Sequence, residues 1–128
     1  MKKRLLSALL CTIMIFTAIA IPAQARWTNC ASIELAMTYS NGIVTWTGSI
    51  LGHSDTTKIT ASYTLEKLGS NGQYTLVGQW TNLNTTRSIL NSSGTVSGTS
   101  GTYRLKMTGT VQTATYSEPI SSTLVKTF

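Results

Sequence analysis

Ile33-Glu34-Leu35-Ala36-Met37-Thr38-Tyr39-Ser40-Asn41-Gly42-Ile43-Val44-Thr45-Trp46-Thr47-Gly48-Ser49-Ile50 decides the fold. Ile33, Leu35, Met37 and Tyr39 recur at every second position, the period of a half-buried strand, and Val44, Trp46, Gly48 and Ile50 repeat the pattern. Asn41-Gly42 between them is a strong hairpin signal, because both residues tolerate a positive φ. A two-residue turn there sets Tyr39 opposite Val44, Met37 opposite Trp46, Leu35 opposite Gly48 and Ile33 opposite Ile50. The large apolar residues of these four pairs then fall on one face, so turn and pattern agree on the register.

Outward from this hairpin the same period continues. Ile59, Ala61, Tyr63 and Leu65 alternate with polar residues, and Tyr74, Leu76, Gly78 and Trp80 return after Gly69-Ser70-Asn71-Gly72. A four-residue loop predicts Leu65 opposite Leu76, Tyr63 opposite Gly78 and Ala61 opposite Trp80. Thr86–Leu90 reads as a short strand, and Asn91–Gly101 as a loop with a brief strand at Thr95-Val96. Tyr103, Leu105, Met107, Gly109 and Val111 form another alternating strand, with Arg104, Lys106, Thr108 and Thr110 outward, and Ile120–Phe128 closes the sheet. About seven short strands with no helical period predict a single antiparallel β-sandwich.

The segment before the first strand is an address. Lys2, Lys3 and Arg4 precede an apolar run from Leu5 to Ile21, then Pro22 and Ala23-Gln24-Ala25. This is the pattern of a secretion signal peptide with cleavage before Arg26. The predicted organisation is therefore a signal over 1–25, an N-terminal extension over 26–30 and the sandwich over 31–128. The expected location is outside the cell, or the periplasm in a Gram-negative source, with no membrane span once the signal is removed. The whole chain has 128 residues and a formal charge of +6, but the exported part keeps seven cations against four acids, a charge of +3. That balance gives no nucleic-acid signature. Cys11 leaves with the signal, so Cys30 is either a small buried hydrophobe or an intermolecular disulfide candidate. The chain is expected to be a monomer, or a dimer through Cys30.

Several of these residues carry a resemblance. Val44-x-Trp46, Tyr63-x-Leu65, Thr102-Tyr103-x-Leu105-x-Met107 and Ser117-Glu118-Pro119 resemble the pattern of fibronectin type III and immunoglobulin-like domains. The resemblance implies a core Trp on the second strand and a tyrosine corner at the start of the sixth. Ser97-Gly98-Thr99-Ser100-Gly101 stands where that family has a proline-containing turn. Lys58-Ile59, Leu65-Glu66-Lys67, Gly72-Gln73-Tyr74-Thr75-Leu76-Val77, Trp80 and Gly101-Thr102-Tyr103-Arg104-Leu105-Lys106 are similar, in order, to small secreted proteins of anaerobic Gram-positive bacteria. That likeness implies fold and export, not an activity.

Chemistry is scarce. His53-Ser54-Asp55 has the residue types of a hydrolase triad, but three consecutive residues diverge, whereas a triad converges from separate segments. Asp55 and Glu66 lie at opposite ends of one strand, too far apart for a glycosidase pair. Glu34 and Glu118 read as solvated charges. Cys30 and His53 lack further ligands for zinc, and no cofactor is implied. The chain is read as no enzyme. Candidate ligand contacts are Trp27 and Tyr116, as an aromatic platform, and Lys58, Arg104 and Lys106, as a basic stripe facing anionic polymers. The expected role is binding a protein or glycan at the cell surface or in the medium. A small cationic effector acting on competitor cell envelopes is the alternative.

Overall fold

The computed structural model describes residues 27–128; the signal peptide expected over 1–25 and its expected cleavage point lie outside the described residues. The strands are β1 (Cys30–Ser40), β2 (Ile43–Gly52), β3 (Thr56–Leu68), β4 (Tyr74–Thr85), β5 (Ile89–Ser97), β6 (Thr102–Thr113) and β7 (Ser117–Thr127). They form two antiparallel sheets, ordered β1-β2-β5 and β4-β3-β6-β7. The fold is an all-β sandwich.

The first hairpin has the register its turn dictates. Tyr39 pairs with Val44, Met37 with Trp46, Leu35 with Gly48 and Ile33 with Ile50. Asn41 and Gly42 both hold positive φ, at 51° and 75°, and these values match the strand twist on either side.

The second hairpin departs from its expected register. Glu66, not Leu65, pairs with Leu76; Leu65 pairs with Gly78, Tyr63 with Trp80 and Ala61 with Leu83. The turn is tighter than four residues. Gly69 bonds Gln73 across the hairpin, and Gly72, at φ 77°, closes a three-residue connection by donating to Gly69 O. Val77 then inserts as an extra residue, and a second irregularity falls at Asn82, whose φ is 57°. Each insertion flips the face on which the following residues lie. Tyr74 and Leu76 therefore stand on the outer face, while Gly78, Trp80 and Leu83 turn inward.

β5 is a second correction. It runs unbroken from Ile89 to Ser97 through residues that read as loop, in register with β2 along its whole length. Its inward positions are Leu90, Ser92, Gly94 and Val96, and only two of them are large. The small ones make room for aromatic rings. Trp46 stacks on Tyr63 with centroids 4.3 Å apart and meets Trp80 edge-on at 4.9 Å. A side chain at Gly94 would run into Trp46 Nε1 and the Trp80 ring, and one at Gly48 into the Tyr63 ring. Burying these rings and the surrounding Met37, Val44, Ile50, Ile59, Leu65, Leu105, Met107 and Val111 supplies the main driving force for folding.

Side chains clasp the margins where the two sheets meet. Glu118 faces inward and accepts bonds from the backbone N–H groups of Thr28 (2.8 Å) and Asn29 (3.1 Å). It is not a solvated charge: at 8% exposure it is the buried charged residue among those described. Lys126 Nζ on β7 donates to Met37 O on β1 at 3.0 Å. Ahead of β6, the Tyr103 hydroxyl donates to Thr99 O, four residues upstream, at 2.6 Å.

Candidate functional site

The outer face of the four-stranded sheet concentrates the chemistry. Register places Leu76 of β4, Glu66 of β3, Arg104 of β6 and Val125 of β7 in one row across it. Tyr74 and Leu68 form the adjacent row, and Lys106 lies one step along β6, opposite Thr64. Arg104 donates through Nη2 to Glu66 Oε2, and its guanidinium lies 3.9 Å from the centre of the Tyr74 ring. Lys106 Nζ approaches Glu66 Oε1 at 3.5 Å. The hydrogen bond from Arg104, aided by the charges of both cations, holds the Glu66 carboxyl below its ordinary range. Leu76, at 57% exposure, and Val125, at 51%, frame this cluster with apolar surface, and Val77 adds to it.

Such an arrangement can do one thing well. An Arg held planar by a carboxylate and an aromatic ring loses little side-chain freedom on contact, and Tyr and Arg are the side chains enriched where interfaces concentrate their energy. Glu66 offsets one of the two cations, leaving a patch that is mainly apolar and aromatic with a single surplus positive charge.

The expected basic stripe is not contiguous. Lys58 does face outward on β3, but it pairs with Gln112, six residues along the strand from Thr64 opposite Lys106. That separates it from Lys106 by about 20 Å at the rise of a strand. Arg104 and Lys106 come together; Lys58 belongs to the other end of the sheet.

Trp27 and Tyr116 lie toward one end of the sandwich, but their rings do not pair with each other. Trp27 is half-buried and packs on the core. Tyr116 is 60% exposed in the β6–β7 connection, where its carbonyl accepts the Thr113 N–H. Among the described residues the close ring pairs are Tyr39–Phe128, Trp46–Tyr63, Trp46–Trp80 and Tyr103–Phe128, and none joins Trp27 to Tyr116.

Cys30 is a free thiol at 4% exposure, with Sγ near Ser32 O and Leu51 O. Burial pushes its pKa up, so the reactive thiolate is disfavoured. A disulfide to a second chain through Cys30 requires the start of β1 to open. His53, Ser54 and Asp55 occupy the exposed β2–β3 connection. Among the described residues no three His, Cys, Asp or Glu side chains gather to hold a metal ion.

Tyr74 and Leu76 are the site residues that sequence reading assigned to the core face; Glu66 lies outward near its strand end as expected, but its pairing with Arg104 and Lys106 was not foreseen. A signal for Tyr74 and Leu76 exists: the adjacent apolar pair Leu76-Val77 breaks the alternation just before Gly78, as an inserted residue does. Comparison with known proteins adds no relative, since no protein-family model and no curated protein matches this chain.

Proposed function

We propose that this chain is a secreted, non-catalytic binding module of fibronectin type III-like layout, which docks a protein partner through the outer face of its four-stranded sheet. The observation that carries this reading is the Tyr74–Arg104–Glu66 cluster set between exposed Leu76 and Val125. The leader pattern at residues 1–25 supports export. The 3 + 4 sheet arrangement, Trp46 in the core on β2 and the Tyr103 hydroxyl bonded back to Thr99 O support the fibronectin-like layout.

A protein fits this face better than an anionic polymer. Polymer binding calls for cations spread along a track, whereas Lys58 stands apart and Glu66 engages both Arg104 and Lys106. The same dispersal weighs against the envelope-active effector. The partner surface carries apolar side chains against Leu76 and Val125 and an acid within reach of Lys106.

Site-specific photocrosslinking tests the reading. A photoreactive residue at position 76 is expected to give a discrete protein adduct on intact cells, and the same probe at Thr38, on the opposite sheet, none. Tyr74→Ala should abolish the adduct while leaving the melting transition cooperative. Retention on insoluble wall polysaccharide that is lost in high salt, and indifferent to Tyr74→Ala, would replace the protein partner with a glycan.

A further inference from the structure

The four lateral strands of the sandwich differ in how their open edges are protected. β7 carries Pro119 and Lys126, with Glu118 turned inward. β1 carries Glu34, has an irregularity between Cys30 and Ser32, and has its Met37 carbonyl taken by Lys126. β4 is interrupted by two irregularities and by left-handed Asn82. These are the devices that stop a sheet edge from adding another strand. β5 has none of them. Ile-Leu-Asn-Ser-Ser-Gly-Thr-Val-Ser contains no charge and no proline, its register with β2 is unbroken, and its exposure alternates along the strand.

We propose that β5 is a pairing edge and that its partner is β5 of a second copy of this chain. Antiparallel pairing of a strand with itself is two-fold symmetric, so each residue meets a symmetry-related position of the same sequence. A charged strand would therefore set like charges near one another, which is unfavourable; uncharged β5 avoids this. The side-chain period adds a second restriction. Pairing must keep inward residues opposite inward ones, and this requires the two-fold axis to pass through a residue position. Centred on Ser93, the middle of the strand, all nine residues pair. Leu90 of one copy then lies opposite Val96 of the other, and Ser92 opposite Gly94, so the core-facing sides join. The result is a six-stranded sheet ordered β1-β2-β5-β5-β2-β1. Its outer face continues the Thr38–Thr45–Thr95 and Ala36–Thr47–Ser93 rows, which carry no charge. This interface lies on the three-stranded sheet and is independent of the proposed docking face.

Sedimentation under reducing conditions, which removes any Cys30 disulfide, tests the proposal on the chain produced with its own leader in a secreting host. The wild type is expected to show a concentration-dependent doubling of mass. Ser93→Lys places a cation on the outer face at the symmetry axis and should return the mass to that of one chain. Thr38→Lys, on the same face at the far edge, should still dimerise. Hydrogen exchange of the wild type gives a second readout: β5 amides should gain protection as concentration rises, and β4 amides should not. A single-chain mass at every soluble concentration overturns the proposal. So does a dimer that Ser93→Lys leaves intact, or β5 protection that does not vary with concentration.

Discussion

Glu118 shows how a single side chain substitutes for missing backbone pairing. The approach to β1 leaves the N–H groups of Thr28 and Asn29 without strand partners, and one carboxylate oxygen accepts both. Hydrogen bonds to a charged acceptor contribute about 1.5–3 kcal/mol each, but exposed Thr28 can turn to water when the acceptor is removed. Desolvation of the carboxylate works against the clasp, since Oε1 is buried and meets no protein donor. Glu118→Ala is therefore expected to cost about 1–2 kcal/mol in urea unfolding. Glu118→Gln, which keeps an acceptor oxygen, should cost less. Equal losses for the two variants would assign Glu118 to packing. Cys30 gives a companion prediction. Because the thiol is buried and its ionisation disfavoured, a maleimide should label it only as fast as the end of the sandwich opens. Labelling should accelerate sharply once denaturant passes the unfolding midpoint.

Among the elements, legibility in the sequence followed the size of the inward residues and the regularity of pairing. β1 and β2 were readable to the residue because a two-residue turn fixes register and no insertion intervenes between Ile33 and Ile50. β6 was readable because Tyr103, Leu105, Met107 and Val111 are all large and buried. β4 was readable as a strand but not in its register. A three-residue turn and the Val77 insertion shift it by one residue each, so two-fold alternation alone put Tyr74 and Leu76 in the core. That error also hid the candidate site: Arg104 and Lys106 stood out as exposed cations, but the aromatic and apolar side chains beside them had been assigned inward. β5 was hidden for the opposite reason. Gly94 is small because rings from β2 and β4 occupy the space beneath it, and Ser92 meets the Tyr63 hydroxyl of β3, so this information lies in other strands. Gly94→Ala is thus expected to cost about 1–3 kcal/mol by forcing Trp46 or Trp80 from its place. Ser93→Ala, one residue away but outward, should stay within about 0.5 kcal/mol of wild type. Chemical denaturation of the pair checks this, and equal effects would mean that β5 does not lie over the rings.

For the molecule as a whole, the perturbed ionisations bound a stability plateau. On the acid side the relevant group is Glu66, whose pKa is lowered by Arg104 and Lys106. A group with a depressed folded pKa contributes stability above its unfolded value and loses it as pH falls through the folded one. The unfolded reference is about 4.3 for Glu, so this contribution is complete near neutrality and declines progressively below that value. On the alkaline side burial raises the pKa of both Cys30 and Tyr63. In the unfolded chain these groups ionise near about 8.5 and about 10, while the fold keeps them protonated. Their contribution is thus complete below those values and is lost as pH rises past them, the thiol first. Melting temperature against pH should therefore be flat through neutrality and fall on both sides. Glu66→Gln should lower the plateau and flatten the acid limb, because the neutral amide has no proton to gain. Cys30→Ala should delay the alkaline fall until the tyrosine range. An acid limb unchanged in Glu66→Gln would mean that the Arg104–Glu66 pair contributes nothing to stability. The cluster on the outer face would then hold its arrangement through the Tyr74–Arg104 stack and the sheet beneath it.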